Sequence, residues 1–293
     1  MRKINILIPT FVIALILSTT LVQGDYQVSI GETFTYNVNT SNWSIKLGDN
    51  SGSVSKCLIV LDSYDEGTSF TVEVTDVIPD TSVSWNLTVG SFVFAYQNDD
   101  TDLFQLGSLL LYIVQHAVVY ATTWSQETVD LGPTVHFYFF FDTAHAILDH
   151  FRFYANSSYW SPIAADPRHT FTQIDGNFDE TGTVAIFDWI VDGTLNYTSP
   201  YNFLLEGYER FKIAFDKTTG VMQGYRLELD YDGVIEGQNF EMILNQEVTI
   251  NGYALPAFYF DKPVGLPGFE CYISFAAFSA IIIVSVIIRR RRK

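Results

Sequence analysis

Cysteine, histidine and basic residues are all scarce in this chain. Two cysteines in 293 residues cannot make a disulfide framework. Cys57 lies in a β-like run and Cys271 in a long apolar stretch, which argues against a bridge between them. Stability must come from the core, and the chain is long enough to bury one. No nucleophile elbow, zinc-binding helix motif or phosphate-cradling loop occurs. No catalytic residue, cofactor site or metal ligand is therefore nominated, and an enzyme is not the expectation. Sixteen Lys and Arg stand against 33 Asp and Glu, a formal net charge of −17. All 33 acids fall between residues 25 and 270, whereas seven of the sixteen bases lie outside that interval. The nine bases that remain give the interior a net charge of −24. Such an acidic surface excludes nucleic acid as a natural partner and disfavours lying on an anionic lipid face.

Charge of either sign is absent from residues 271–288. At 1.5 Å per residue that run makes a helix of about 27 Å, enough to cross a hydrocarbon core. Arg289, Arg290, Arg291, Arg292 and Lys293 follow it and hold the C-terminus in the cytoplasm. A neck over residues 263–270, with Pro263, Gly265, Pro267 and Gly268, precedes it. At the other end, Arg2 and Lys3 open an apolar run over residues 4–22, and Val22 and Gly24 are small residues at the positions a signal peptidase reads. The expectation is a signal peptide over 1–24, an extracellular domain over 25–262 and a single transmembrane helix over 271–288. Five Asn-x-Ser/Thr triplets, at Asn39, Asn42, Asn86, Asn156 and Asn196, mark exposed acceptors for N-linked glycans.

Within the exported part, period-two alternation is the dominant signal. Tyr26, Val28, Ile30, Phe34, Tyr36 and Val38 share one face of a half-buried strand, and Val83, Trp85, Leu87 and Val89 share one face of another. Residues 39–56, polar and rich in Gly, Ser and Asn, read as a loop. Strands are expected near 57–61, 70–74, 184–189 and 193–197. A three-strand meander is expected over 211–250, with turns at 216–220 and from Asp232-Gly233. The period changes in the middle of the chain. Residues 103–120 repeat at helical spacing, 136–141 are apolar on both faces and read as a central strand or a strand entering a helix, and 144–153 read as a second helix. Gln105, Gln115 and His116 argue against a membrane span in the first of these. The fold class expected is α+β, mostly antiparallel β: one strongly curved sheet wrapping two apolar helices, with a β-sandwich as the alternative.

Clusters with chemical potential are weak. Asp142, His145 and Asp149 share a helix face, with His150 beside them, yet no further ligand completes a metal site. Asp175, Asn177 and Asp179 alternate as in a calcium loop but lack its glycine and its closing glutamate; Asn98, Asp100 and Asp102 fail the same way. The aromatic middle is either filled core or the lining of a cavity for a hydrophobic ligand such as a lipid, built from Phe137, Phe139, Phe141 and the first helix.

Pro267-Gly268-Phe269, followed by the apolar span and the basic stop, resembles the PGF-CTERM sorting tails of archaeal surface proteins. That resemblance implies recognition by an archaeosortase-like processing enzyme, which exchanges the tail for a lipid. The Thr-rich stalk usual before the motif is missing, so a permanent anchor stays open beside it. Gly31-Glu32-Thr33-Phe34-Thr35-Tyr36 and Phe215-Asp216-Lys217-Thr218-Thr219-Gly220-Val221 resemble segments of archaeal surface proteins of the choice-of-anchor S type. The functional expectation is a membrane- or lipid-anchored surface glycoprotein acting in binding or envelope interaction. The alternatives are a carrier of a hydrophobic ligand and, least favoured, a metal-assisted surface enzyme.

Overall fold

A computed structural model describes residues 26–263, apart from 80, 100–109, 111–129, 131, 137, 144 and 200. The leader, the expected helix over 103–120, Phe137, the Pro267-Gly268-Phe269 motif and the apolar span over 271–288 lie outside the described residues. Among the described residues, no helix is long and apolar enough to cross a membrane.

The domain is mostly antiparallel β. Its strands are β1 (Thr33–Leu47), β2 (Asn50–Val54), β3 (Lys56–Ile59), β4 (Asp62–Asp65), β5 (Ser69–Ile78), β6 (Ser82–Val89) and β7 (Phe92–Asp99). After the helices α1 (His145–Tyr154) and α2 (Ser157–Ala164) come β8 (His169–Asp179), β9 (Val184–Tyr197), β10 (Phe203–Asp216), β11 (Met222–Ile235) and β12 (Gln238–Ile250). One ten-stranded sheet runs β7-β6-β5-β1-β12-β11-β10-β9-β8, with β2 paired to β1, while β3 and β4 form a separate hairpin. Two meanders, β5–β7 and β8–β12, are thus joined through β1, which pairs with both β5 and β12.

Two expectations about shape need correction. The sheet is open and not strongly curled, and its strands form one layer rather than the two facing sheets of a sandwich. Period two explains the single layer: along β6, Val83, Trp85, Leu87 and Val89 are buried while Ser84, Asn86 and Thr88 are not, so one face alone is apolar. That face carries the core, and α1, α2 and the extended segment 132–143 cover it.

Several elements also differ from their expected places. Residues 39–56 are not a loop: β1 continues to Leu47 and turns into β2, because Ser41, Trp43, Ile45 and Leu47 keep every second residue on the core face. The turn expected from Asp232-Gly233 comes at Glu236-Gly237, both at positive φ, and β11 continues through Gly233. Residues 136–141 do not form a ladder strand. They lie across the core, tied to the β10–β11 turn by Phe141 N–H to the Gly220 carbonyl and Met222 N–H to the Phe139 carbonyl. Gly220, at φ +73°, is required there, since a Cβ would collide with the Phe141 carbonyl oxygen. The second expected helix is present as α1. A further helix that was not expected, α2, follows it, capped by the Asn156 side chain accepting from Ser158 N–H.

Candidate functional site

The aromatic middle is packed core wherever it is described. Phe139, Phe140 and Phe141 are buried. Phe139 lies 4.8 Å from Tyr36, 5.8 Å from Phe70 and 5.0 Å from Trp85, ring to ring. Phe141 meets Phe215 at 5.1 Å and Phe151 at 6.0 Å, within the range of favourable aromatic pairs. Phe137 and the first expected helix, the other parts of the expected lining, lie outside the described residues.

Among the described residues, which leave out the His145 side chain, the metal candidates are not brought together. Among the described residues no group of three or more His, Cys, Asp or Glu is placed to hold an ion. Asp149 is taken up by Arg152. Asp175 and Asp179 stand on β8 instead of a loop; Asp175 accepts from the Gly176 N–H, and Asp179 from the N–H and hydroxyl of Thr181. Asn98 accepts from the Trp85 indole in the interior, and Asp100 and Asp102 lie outside the described residues. Cys57 is buried, and burial, then the Asp65 carboxylate, pushes its thiol up to about 12, so it is an inert packing residue.

The sequons are sorted by strand geometry. Asn42, Asn86 and Asn196 stand on β1, β6 and β9 with their side chains on the face away from the core. Asn39 shares that face, but its Nδ2 donates to Glu247 Oε1 at 3.0 Å and Thr249 Oγ1 at 2.8 Å. Asn156 caps α2 on the covered side.

The most elaborate polar arrangement in the described domain lies on the sheet face away from the core, beneath the chain that follows β12. Register lines up Asp188, Lys212, Arg226 and Glu247 side by side on β9, β10, β11 and β12, with Arg210 and Glu228 paired one step along. Asp188–Lys212, Arg226–Glu247 and Arg210–Glu228 are opposite charges directly across the strands, while the like charges of Lys212 and Arg226 also face each other and are each offset by a carboxylate on the far side. Lys212 Nζ is 2.8 Å from Asp188 Oδ2, and both side chains are only 2% exposed. Arg210 pairs with Glu228, and Arg226 with Glu247.

What buries these charges is a strap over residues 253–262. Lys212 Nζ also donates to the Ala257 carbonyl at 2.9 Å, Arg210 donates to the Phe260 carbonyl at 3.2 Å, and the Tyr259 N–H donates to Asp188 Oδ1 at 3.1 Å. The Phe258 ring lies 4.3 Å from the Arg210 guanidinium carbon, 5.5 Å from that of Arg226 and 5.9 Å from Lys212 Nζ. Three cations converging on one ring is a desolvated cation–π contact. Burial raises the Asp188 carboxyl, opposed by the Lys212 ammonium and by the Tyr259 N–H. Chemically this strap and charged row form a latch: the cations grip backbone carbonyls, with no open position for a reacting molecule among the described residues.

None of these latch residues stands out in the sequence. The available signal was the apolar run Leu255, Ala257, Phe258, Tyr259 and Phe260, placed after the last strand with no strand left to pair. No family model matches the chain, and no curated protein matches it either.

Proposed function

We propose that this chain is a membrane- or lipid-anchored cell-surface protein whose β domain serves as a rigid module for binding or envelope interaction. The observation that carries the reading is the latch. The strap leads directly into the neck and the apolar run over 271–288, and it is fastened to the sheet by a buried ion pair and three cations around Phe258. A fastener at that point suits a domain that must keep a fixed geometry relative to its anchor. The signal-like start, the basic stop and the Pro267-Gly268-Phe269 motif point the same way, with the membrane and an archaeosortase-like enzyme as the implied partners. The packed rings around Phe139 and Phe141 favour a filled module over a carrier of hydrophobic ligands.

The test uses the full chain in cells that make it. Intact cells are treated with external protease, and membranes are washed with carbonate. Expected are retention in the membrane fraction, an N-terminus at Asp25 and loss of the domain to the protease. A carbonate-soluble chain that keeps Met1 and is protected inside the cell would refute the reading. A C-terminus ending near Phe269 with an added lipid mass identifies sorting; an intact Lys293 identifies a permanent anchor.

A further inference from the structure

Four of the large apolar side chains exposed on the sheet face away from the core lie beside a sequon, whereas Ile78 at the end of β5 does not. Leu204 is 49% exposed and faces Asn196 directly across β9 and β10; Val234, 39% exposed, is the next residue in that row on β11. Ile243, 50% exposed, faces Ser44, the hydroxyl residue of the Asn42 triplet. Val93, 57% exposed, faces Thr88, the hydroxyl residue of the Asn86 triplet. Directly opposed residues have their Cβ atoms about 5 Å apart and diagonal ones about 7–8 Å, so every one of these side chains lies within reach of a sugar on its asparagine.

We propose that N-linked glycans on Asn42, Asn86 and Asn196 lie down on this face and cover Ile243, Val93 and the Leu204–Val234 pair, acting as the missing second layer of the sheet. Extended strands place residues i and i+2 on one face, so Asn42 with Ser44 on β1 and Asn86 with Thr88 on β6 point outward together, while Thr198 follows directly after β9. Asn42, Asn86 and Asn196 have no Nδ2 partner among the described residues, and Asn42 Oδ1 only accepts a 3.3 Å bond from Ser55. Asn39 is different, with both Nδ2 hydrogens donated to β12, and it stays unmodified. In the modification, Nδ2 forms a bond to the anomeric carbon of an oligosaccharide carried on a lipid phosphate. The bond from that carbon to the phosphate oxygen breaks, the lipid phosphate leaves with the electron pair, and one Nδ2 proton passes to solvent. A pyranose ring then presents its C–H face to the neighbouring apolar side chain, which lowers the water-exposed apolar area while its hydroxyls stay wet.

The proposal rests on the cell-surface reading, and its test separates the two. Peptides of the full chain, isolated from membranes of cells that make it, are mapped for sugar by mass spectrometry. Sugar on Asn42, Asn86 and Asn196 with none on Asn39 is expected. Unmodified asparagines in a chain beginning at Asp25 overturn the glycan layer and leave the surface reading standing. Unmodified asparagines in a chain still beginning at Met1 overturn both. For the covering role, Thr198→Ala removes the Asn196 triplet without touching the asparagine, and the melting midpoint is expected to fall by about 2–4 °C. Leu204→Thr is expected to lower the midpoint in the glycosylated chain and to leave it unchanged in the Thr198→Ala chain. An equal effect in both backgrounds overturns the covering role.

Discussion

Lys212 and Asp188 are among the most buried opposite charges described, and their energetics are asymmetric. Bringing both out of water costs about as much as their attraction returns, so the pair as a whole adds little net stability. Removing one partner is another matter. Lys212→Met leaves the Asp188 carboxylate under the strap with only the Tyr259 N–H, and the expected loss is about 3–5 kcal/mol in urea unfolding. Adding Asp188→Leu to that variant is expected to recover most of the loss. A single-variant loss below about 1 kcal/mol would mean that water reaches the pair. Asp232 shows the opposite situation. Glu206, Asp232 and Glu241 face one another across β10, β11 and β12 on the outer face. Partial burial, then the Asp230 and Glu241 carboxylates, raise the Asp232 carboxyl. A carboxyl raised in the folded state favours folding when protonated, and that contribution is lost as pH rises through its folded value. Asp232→Asn is therefore expected to stabilise the domain at neutral pH by about 0.2–1 kcal/mol and to change nothing once the medium is acidic enough to protonate the native carboxyl. Equal melting curves at neutral pH would contradict the repulsion.

Among the elements, legibility in the sequence tracked exposure. β6 was readable because one face is wet, so Ser84, Asn86 and Thr88 interrupt the apolar residues at period two. The second half of β1 was not, because a polar composition over 39–56 hid the alternation of Ser41, Trp43, Ile45 and Leu47. β10 is buried on both faces from Tyr208 to Phe215, once the strap is in place, so its residues do not alternate in the way that marks a half-wet strand. The latch was illegible for a different reason. Its charges come from four strands, and only their register makes them neighbours. Gly207 belongs to the same class of hidden feature. At φ +155° it faces Gly193 across β9, and a Cβ there would strike the Asp230 carbonyl oxygen of β11. Gly207→Ala is expected to cost about 1–3 kcal/mol from the backbone conformation alone, read as a lower midpoint in thermal unfolding. An unchanged midpoint would mean that β10 and β11 can separate locally without loss.

On the scale of the whole molecule, the strap turns a one-sided sheet into a body with cover on both sides where the charges are buried. Ile190 and Ala214 are fully buried although they point away from the main core, and the strap over residues 253–262 lies on their side of the sheet. Two truncations of the full chain separate this role from that of residues 263–293. A chain ending after residue 262 keeps every contact of Ala257, Phe258, Tyr259 and Phe260 with β9, β10 and β11, and it is expected to melt where the full domain does. A chain ending after residue 252 loses the cover of Phe258 and returns Lys212, Asp188 and Arg210 to water. Solvation offsets part of that loss because the charged pairs survive in the open, so the net cost comes from the apolar area uncovered, about 2 kcal/mol for a partly buried aromatic and its neighbours. For a domain of this size that is a drop of about 4–8 °C in the melting midpoint. If the two truncated chains melted together, the strap would be a passive tether and the latch would have no part in stabilising the domain. If the shorter chain alone falls, the sheet and the strap that leaves it are one cooperative unit, fastened through β9, β10 and β11.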